Sequence, residues 1–368
     1  MKVLLQGRID LLERFGGDTT LITDIKNAFS QQEVDANLNT DKIADFDKYD
    51  LIHFFGIMRI NDLYPYFLQA KKQHKKIVVT PIYEDLSYLD NFGRTGWEKM
   101  AKILPGDLKE FVKGLIRGVK DSSQLKLAVL QLVIPYSRQQ KNLLKYSNRI
   151  ISTSRGESIL LQNKFSLPKS KFDVILIGID KESTKVDKND FINKYNLRNF
   201  ILSVGRIEPK KNQLGLLEAL KNETIPLVFI GRLSEYHSSY GKQFLKTVRK
   251  YSHVYYLGQL NRQMLLSAYG AAKVHVLPSW FEVMGITSME AAINGCNVVT
   301  TDKGYTREYF KDLAWYCNPQ DSESIRRSVI EAYYQPVKKG LKELVEEKYT
   351  WDKIVPKILE VYKDALKK

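Results

Sequence analysis

The sequence lacks the features that identify several large classes of protein. Its 368 residues include only two cysteines, Cys296 and Cys317, too few for a disulfide framework and without metal-ligand spacing. We therefore expect two reduced thiols. No apolar run approaches the roughly 18–20 residues that a transmembrane helix needs. The short apolar stretch Met1–Leu5 is followed at once by Gly7 and Arg8, so it has neither the length nor the cleavage site of a signal peptide.

Acidic residues are fewer than basic residues, and histidines are few. The chain has 57 Lys and Arg residues against 42 Asp and Glu residues, a formal net charge of +15, and 5 histidines. A basic balance suits nucleic acid, an anionic membrane surface or phosphorylated substrates. No recognised nucleic-acid-binding motif accompanies the cations, so we expect no nucleic acid partner.

Eleven short apolar runs divide the chain. They are rich in Val, Ile and Phe and continuous rather than alternating, which is typical of parallel strands buried on both faces. Helical patterns lie between most of them, which predicts an α/β protein with two doubly wound parallel sheets. The predicted strands are Lys2–Gln6, Asp50–Phe55, Lys76–Thr80, Arg149–Thr153, Phe172–Ile177, Phe200–Val204, Leu227–Ile230, Val254–Leu257, Val274–Leu277, Asn297–Thr300 and Ala314–Tyr316.

The length of 368 residues suits two domains of roughly 150–200 residues each. We place their junction near Gly178-Ile179-Asp180. The predicted domains are residues 1–178 and residues 179–351, and we expect a last helix, residues 352–368, to pack back on the first.

One segment, between Asp85 and Ser147, has no predicted strand and is rich in Lys and Arg. Within it, apolar residues recur at helical spacing, and a second apolar stretch follows at Leu125–Ile134. The apolar positions are Leu108, Phe111, Val112, Leu115, Ile116 and Val119, and the cations on other faces are Lys109, Lys113, Arg117 and Lys120. Two interpretations are open. The segment is either a pair of core-packing helices with a solvated basic side, or a basic amphipathic platform on an anionic membrane.

The run Pro278–Ala292 carries the strongest signal for chemistry. It follows a buried strand and opens a helix, and ligands of doubly wound sheets bind at the carboxyl ends of strands. Glu282 falls in the loop and Glu290 about two turns into the helix. Gly285 allows close backbone approach, and amides at a helix start suit a diphosphate. The two carboxylates suit hydrogen bonds from sugar hydroxyls. Two glutamates found without further evidence, however, are more often ordinary solvated side chains.

A second run, Ser203–Asn212, also leads from a buried strand through a loop toward a helix. Arg206 and Lys211 are placed to neutralise a diphosphate, Arg as a planar fork and Lys as a point charge. Taken alone, a run of this kind is more often a surface turn with solvated cations.

A third run, Arg14–Thr20, follows the first strand and contains Gly16 and Gly17. Two glycines before a helix start allow a phosphate to approach the backbone, although Gly-Gly by itself is more often only a tight turn.

Together these runs resemble the retaining GT-B glycosyltransferases of family four, also described as glycosyl transferases group 1. The family's Glu-x7-Glu element matches Glu282 and Glu290, and its Gly-Arg…Lys element matches Gly205, Arg206 and Lys211. The likeness covers nearly the whole chain. Further matching stretches are Gly16-Gly17, Asp50–His53, Asn148–Ser154, Gly178–Asp180 and Tyr349–Trp351.

The resemblance implies two facing Rossmann-like domains with a cleft between them, the first binding the acceptor and the second a nucleotide-sugar donor. It implies catalytic roles for Glu282, Arg206 and Lys211, with Glu282 on the transferred sugar and Glu290 on the ribose. The implied donor-binding residues are Gly16, Gly17, Gly205, Leu260, Val283, Met284, Gly285, Ile286 and Glu290. No Asp-x-Asp-type cluster lies near these loops, so we expect no cofactor and no metal.

One departure from the family concerns a histidine that many members place after the strand corresponding to Lys76–Thr80. Here that place has no histidine, so either the contact is missing or Tyr83, Glu84 or Asp85 supplies it. His53 is either an acceptor-side polar group or structural.

The resemblance predicts transfer of a sugar, with retention, to a glycan, polyprenyl-diphosphate-linked or other lipid-linked acceptor. Bacterial surface polysaccharide or glycoconjugate synthesis would be the setting. We expect a cytoplasmic protein, or one peripheral on the inner face of the membrane through residues 85–147. The alternatives are another GT-B enzyme, such as a nucleotide-sugar epimerase, or a non-catalytic binding subunit. The presence of both glutamates, Arg206 and Lys211 argues against a non-catalytic binding subunit.

Overall fold

The protein is described here by a computed structural model. The structure describes residues 1–13, 16–39, 45–94, 106–120, 129–181 and 187–367. The chain forms two compact units. Unit 1 consists of Met1–Glu84, Gly96–Gly178 and Trp351–Lys368, and unit 2 of Asp85–Thr95 and Ile179–Thr350. Each unit has a six-stranded parallel sheet with helices, so the predicted class of two doubly wound parallel sheets is confirmed.

The sheet of unit 1 has the order β2-β1-β3-β4-β5-β6. Its strands are β1 (Lys2–Gln6), β2 (Asp35–Leu38), β3 (Leu51–Phe55), β4 (Lys76–Thr80), β5 (Arg149–Ser152) and β6 (Phe172–Val174). Its helices are α1 (Gly17–Ser30), α2 (Ile60–Lys72), α3 (Gly106–Lys120), α4 (Tyr136–Tyr146), α5 (Arg155–Phe165) and, from the end of the chain, α14 (Trp351–Lys367). Residues 129–133 are also helical.

The sheet of unit 2 has the order β12-β11-β10-β7-β8-β9. Its strands are β7 (Phe200–Val204), β8 (Leu227–Ile230), β9 (Val254–Tyr256), β10 (Ala272–Leu277), β11 (Asn297–Thr301) and β12 (Trp315–Cys317). Its helices are α6 (Asn189–Tyr195), α7 (Gln213–Leu220), α8 (Ser238–Val248), α9 (Arg262–Ala271), α10 (Ile286–Ile293), α11 (Thr306–Phe310), α12 (Ser322–Tyr334) and α13 (Leu341–Lys348).

All eleven predicted strands are present, with ends that differ by a few residues. The sequence patterns did not reveal β2, whose four residues are Asp35, Ala36, Asn37 and Leu38. Only Ala36 is buried, because β2 lies at the edge of its sheet and pairs with β1 alone. An edge strand of this kind needs no continuous apolar run, so the criterion that found the central strands could not detect it.

His53 ties helix α14 to the sheet of unit 1. It lies on β3, fully buried, with Nδ1 2.6 Å from the hydroxyl of Tyr362 and Nε2 2.8 Å from Thr80 Oγ1. Burial lowers the pKa of His53 to about 3, so the ring is neutral. Both ring nitrogens are occupied by protein groups, and of the two interpretations of His53 the structure favours the structural one.

Residues 85–95 lie in unit 2, although the domain boundary at residue 178 places them in the first domain. Two contacts explain this difference. The hydroxyl of Tyr88 lies 3.2 Å from Asn318 Oδ1 and 3.0 Å from Gln320 Oε1. A Cβ atom on Gly93 would lie 2.6 Å from the ring of Trp280, so glycine is needed for this close packing.

The basic segment of unit 1 is helical at Gly106–Lys120, as its apolar spacing predicts. Leu130 and Ile134 pack against the core cluster of unit 1, which agrees with the core-packing interpretation for their side of the chain. The side chains of Lys113, Arg117 and Lys120, and residues 121–128, lie outside the described residues. Among the helices that the structure describes, none is both long and apolar enough to cross a membrane.

Candidate functional site

The two strongest sequence runs meet at one edge of the sheet of unit 2. Strands β7 and β10 are parallel neighbours, so their carboxyl ends lie side by side. The loop after β7 contains Arg206 and Lys211, and the loop after β10 contains Glu282. The backbone N–H of Trp280 donates to the carbonyl of Lys210 at 2.9 Å, which joins the two loops directly.

Lys211 and Glu282 form an ion pair. The Nζ atom of Lys211 lies 2.8 Å from Glu282 Oε2, and the hydroxyl of Ser279 donates to the same oxygen at 3.0 Å. Burial would raise the pKa of Glu282, but Lys211, Lys210 and the hydrogen bond from Ser279 hold it below its usual range. The site therefore contains a buried, ionised carboxylate fixed beside an ammonium group.

The backbone of Glu282 is fixed by a neighbouring loop. Its N–H donates to the carbonyl of Lys303 at 3.2 Å, and its carbonyl accepts from the N–H of Tyr305 at 2.9 Å. Gly304 lies opposite, with a φ of +103° and so little space that a Cβ atom would lie 2.1 Å from the carbonyl oxygen of Glu282. Only glycine fits there without displacing one of the two loops.

Arg206 is held more loosely than Lys211. Its side chain is 42% exposed, and Nη2 lies 3.4 Å from Glu208 Oε2. The Lys211 side chain is 18% exposed. An exposed guanidinium can turn toward an anionic ligand at little cost, whereas Lys211 must share its charge with Glu282.

Helix α10 begins in the loop after β10 and supplies the expected amides. Gly285 precedes it with a φ of +64°, a left-handed conformation that favours glycine. The N–H groups of Gly285 and Ile286 have no partner among the described residues, as usual at a helix start. Val283 and Met284 are buried, with 3% and 7% of their surface exposed.

Glu290 lies on α10 and is nearly fully covered. Oε1 accepts from Arg262 at 2.5 Å and Oε2 from the hydroxyl of Tyr269 at 3.0 Å. Leu260, another predicted donor-binding residue, is half-buried before α9 and packs against the cluster that includes Tyr269.

His275 lies under the site on β10. It is fully buried, with Nδ1 3.3 Å from the hydroxyl of Ser288 in the first turn of α10. Burial and the charge of Lys211 lower the pKa of His275 to about 3, although Glu282 acts in the opposite direction. A neutral imidazole adds no charge beneath the Lys211–Glu282 pair.

In unit 1, the glycine loop is held by a charged network. Arg8 Nε donates to Asp18 Oδ2 at 2.6 Å, and Nη2 donates to Thr19 Oγ1 at 3.2 Å. The N–H of Gly16 donates to Thr19 Oγ1 at 3.1 Å, so this amide is already engaged in capping α1. The amide of Gly17, by contrast, has no hydrogen-bond partner within the described residues.

The loop after β4, where the family's histidine is absent, has an unusual backbone. Ile82 has a φ of +48°, which β-branched residues rarely adopt and which costs about 1–3 kcal/mol. Tyr83 next to it is buried, its N–H donates to Glu157 Oε1 at 2.6 Å, and its hydroxyl accepts from Lys164. With these partners Tyr83 is a structural residue, and Asp85 is the exposed one of the three candidates.

The structure thus brings Lys211 and Glu282 into contact. Gly205 and Arg206 lie nearby, at the carboxyl end of β7. It also shows groups that sequence spacing did not reveal: Ser279, Gly304, Arg262, Tyr269, His275 and Ser288. Their roles depend on contacts between elements far apart in sequence. The described residues contain no group of three or more His, Cys, Asp or Glu side chains arranged to hold a metal ion.

Comparison with known proteins finds a family that is similar to unit 2. Residues 185–351 match the family model described as glycosyl transferases group 1. The matched segment contains both loops and both glutamates of the site. This match agrees with the resemblance that the Glu-x7-Glu and Gly-Arg…Lys elements indicate.

Among curated proteins, the chain is 27% identical over 240 residues to an uncharacterized glycosyltransferase of Methanocaldococcus jannaschii, covering 60% of this chain and 61% of that protein. It is 24% identical over 191 residues to an O-antigen chain mannosyltransferase of Salmonella typhimurium, covering 51% and 52% of the two chains. The alignments therefore span about half to three fifths of these relatives.

Two solved structures share the fold over nearly the full length of both chains. A sucrose-phosphate synthase of Thermosynechococcus elongatus has a TM-score of 0.72 at 16% identity, covering 99% of this chain and 98% of that one. The HepE protein of Anabaena, in complex with UDP, has a TM-score of 0.69 at 15% identity, covering 99% and 100%. The fold is that of GT-B proteins.

Proposed function

We propose that this chain is a retaining glycosyltransferase that moves a sugar from a nucleotide-diphosphate donor to a glycan, polyprenyl-diphosphate-linked or other lipid-linked acceptor. One observation carries the proposal. The buried Lys211–Glu282 pair lies where the carboxyl ends of β7 and β10 meet, within the segment that matches the family. A carboxylate for sugar hydroxyls and a cation for phosphate are thereby held side by side.

The cations serve the leaving group. As the bond from the anomeric carbon to the diphosphate oxygen breaks, negative charge grows on that oxygen, and Arg206 and Lys211 stabilise it. The oxygen of the acceptor hydroxyl bonds to the anomeric carbon on the same face from which the leaving group departs. The proton of that hydroxyl passes to the departing phosphate oxygen. The open amides of Gly285 and Ile286 assist, since helix starts bind anions.

The two glutamates bind different parts of the donor. Glu282 accepts hydrogen bonds from hydroxyls of the transferred sugar, since its carboxylate is ionised and beside the cations. Glu290 accepts from the ribose. Gly205, directly after β7, and Leu260, before α9, are also assigned to donor binding. In unit 1, the same role is assigned to the loop of Gly16 and Gly17.

No metal ion or cofactor is required in this proposal. Arg206, Lys211 and the helix-start amides supply the positive charge that a divalent cation would otherwise supply. Turnover should therefore be unchanged after dialysis against EDTA. A loss that Mg²⁺ or Mn²⁺ restores would contradict this point.

The relatives guide the choice of substrates to test. Two of them are O-antigen chain mannosyltransferases, and UDP is bound in a structure that shares the fold. We therefore propose a role in surface polysaccharide or glycoconjugate synthesis, with nucleotide-linked mannose and glucose as the first donors to test. Lipid-linked glycans are the first acceptors, and nucleic acid is not a partner.

A lipid-linked acceptor requires access to a membrane, and unit 1 has a suitable surface. Val129, Leu132 and Val133 share one face of the helical residues 129–133, and the last two are 68% and 76% exposed. The neighbouring helix α4 exposes the cations Arg138, Lys141 and Lys145. Exposed apolar residues flanked by cations fit an anionic lipid surface. We propose that the protein is cytoplasmic and binds the inner face of the membrane through this surface, here called the apolar–basic surface.

A donor-hydrolysis assay with and without acceptor tests the proposed activity. A glycosyltransferase releases nucleoside diphosphate and forms a glycosylated product only when a cognate acceptor is present. An epimerase would interconvert the donor sugar with no acceptor dependence. Nucleotide-sugar binding without turnover on any acceptor would instead favour a binding subunit.

A further inference from the structure

Helix α9 carries two side chains that both bind the carboxylate of Glu290. Arg262, the first residue of the helix, donates from Nη1 to Oε1 at 2.5 Å. Tyr269 donates from its hydroxyl to Oε2 at 3.0 Å. Each carboxylate oxygen thus has its own fixed donor, and both donors come from one rigid element.

The sequence of α9 explains why both side chains reach the same group. Arg262 and Tyr269 are seven residues apart, about two turns, so they lie on the same face of the helix. Asn261 caps the helix by accepting the N–H of Met264 at 2.8 Å, which fixes where the helix begins and hence where Arg262 lies.

Burial distinguishes the two donors. The side chain of Glu290 is only 5% exposed and that of Arg262 is 50% exposed, so Arg262 lies on the solvent side of the carboxylate. Tyr269 is fully buried. Burial, together with the charge of Glu290, raises the pKa of Tyr269 well above its usual value, so its hydroxyl stays protonated and can donate.

A carboxylate has about four acceptor positions, two on each oxygen. Here one position of each oxygen is taken by α9, which leaves about one on each. From this arrangement we infer that Arg262 and Tyr269 are positioning residues. They hold Glu290 in the orientation in which its remaining lone pairs accept the two neighbouring hydroxyls of the donor ribose.

This inference rests on the proposed donor role of Glu290 and extends it to two residues outside the family motif. Removing Arg262 frees the carboxylate to rotate but leaves the phosphate-binding loops unchanged. The loss therefore falls on the ribose hydroxyls alone. A ligand that lacks both the 2′-hydroxyl and the 3′-hydroxyl should bind the variant and the parent protein almost equally.

Calorimetry with UDP, GDP and ADP, each beside its 2′,3′-dideoxy counterpart, tests the inference on the full chain. For the nucleotide that binds, Arg262→Ala should weaken the ribonucleotide by about tenfold, since one well-placed hydrogen bond is worth about that factor. The affinity for the 2′,3′-dideoxy form should change less than about twofold. Tyr269→Phe should act in the same direction. Arg262→Lys should recover part of the loss, because it keeps the charge without the planar fork.

Arg326→Ala is the matched control, because Arg326 is also half-exposed and pairs with Glu223 at 2.8 Å in unit 2. It should leave both affinities unchanged, and melting temperatures identify any variant that fails to fold. Arg262→Ala should raise the Michaelis constant for donor more than it lowers turnover, since the ribose does not change during the reaction.

The outcomes separate this inference from the proposed function. If no nucleotide binds the parent protein, both fail. If Glu290→Gln abolishes the preference for ribonucleotide while Arg262→Ala and Tyr269→Phe retain it, the donor role of Glu290 stands and the positioning role is wrong. Equal weakening of the ribo and dideoxy forms by Arg262→Ala would also overturn it, since that pattern indicates general structural damage.

Discussion

The ammonium group of Lys211 and the carboxylate of Glu282 are 2.8 Å apart although the two residues are 71 positions apart in the chain. The pair joins the loops after β7 and β10, whose parallel pairing brings their ends together. Each partner lowers the cost of burying the other. Changes at either position should therefore alter the placement of the carboxylate and, in the proposed function, the charge near the leaving group.

Glu282→Gln and Glu290→Gln should have different kinetic effects. Glu290→Gln should mainly raise the Michaelis constant for donor and weaken nucleoside diphosphate binding, because the ribose is unchanged in the transition state. Glu282→Gln should mainly lower turnover and leave that binding almost intact. Calorimetry with the nucleotide product decides between them. Loss of binding in Glu282→Gln with retention in Glu290→Gln would show that the roles are reversed.

Lys211→Ala and Arg206→Ala should each lower turnover on the order of 10²-fold, by analogy with lost oxyanion donors. Lys211→Ala should also destabilise the fold, because it leaves Glu282 buried without its cation. Arg206→Ala should not destabilise the fold, because the side chain of Arg206 is exposed. Lys221→Ala, which removes an exposed ion pair with Glu218, is the control. Normal turnover of both site variants at saturating donor would exclude them from leaving-group stabilisation.

Gly304→Ala should disturb the site without removing any functional group. The added Cβ would lie 2.1 Å from the carbonyl oxygen of Glu282, so the loop must move. A displacement of about 1 Å can cost about 10²-fold in turnover. Gly295→Ala is the matched control, since its φ is +89° but nothing lies within 4 Å of the added atom. Gly295→Ala introduces the backbone strain without a steric clash. Equal losses of turnover in Gly304→Ala and Gly295→Ala would therefore argue against displacement of Glu282.

His53 should make unit 1 sensitive to acid. Burial lowers the pKa of His53 from 6.5 to about 3, so the unfolded chain binds a proton that the folded chain does not. Stability is therefore lost as the pH falls from about 6.5 toward 3, by about 1.4 kcal/mol per pH unit. His53→Gln should reduce the slope of unfolding free energy against pH by that amount. His74→Gln, at an exposed histidine, is the control, and an unchanged slope in His53→Gln would contradict the prediction.

The apolar–basic surface should bind anionic vesicles. Flotation with phosphatidylglycerol-containing liposomes should show binding that weakens as salt is raised. Leu132→Ser with Val133→Ser should reduce it about tenfold, whereas Ile159→Ser, at an apolar residue of unit 1 that is 58% exposed, should not. Binding that salt does not affect, or none at all, would favour the interpretation of this segment as core-packing helices only.

Much of the fold and part of the site could be predicted from the sequence. The central strands are buried on both faces, so each had to be a continuous apolar run. The edge strands β6, β9 and β12 also lie in apolar runs, and eleven of the twelve described strands were therefore found. The loops of the candidate site could be located in the same way, because each loop begins where an apolar run stops. Glu282, Glu290, Arg206 and Lys211 were predicted as site residues because their motif spacing lies within single loops and helices.

The tertiary structure decided everything that depends on contacts between distant elements. It placed residues 85–95 in unit 2, where Gly93 packs on Trp280. It also brought Arg262 and Tyr269 to Glu290. Their spacing of seven residues indicates a shared helix face, but no local pattern says which group that face meets. Side-chain contacts of this kind are set by the packing of whole elements, because the distance along the chain carries no information about the distance in space.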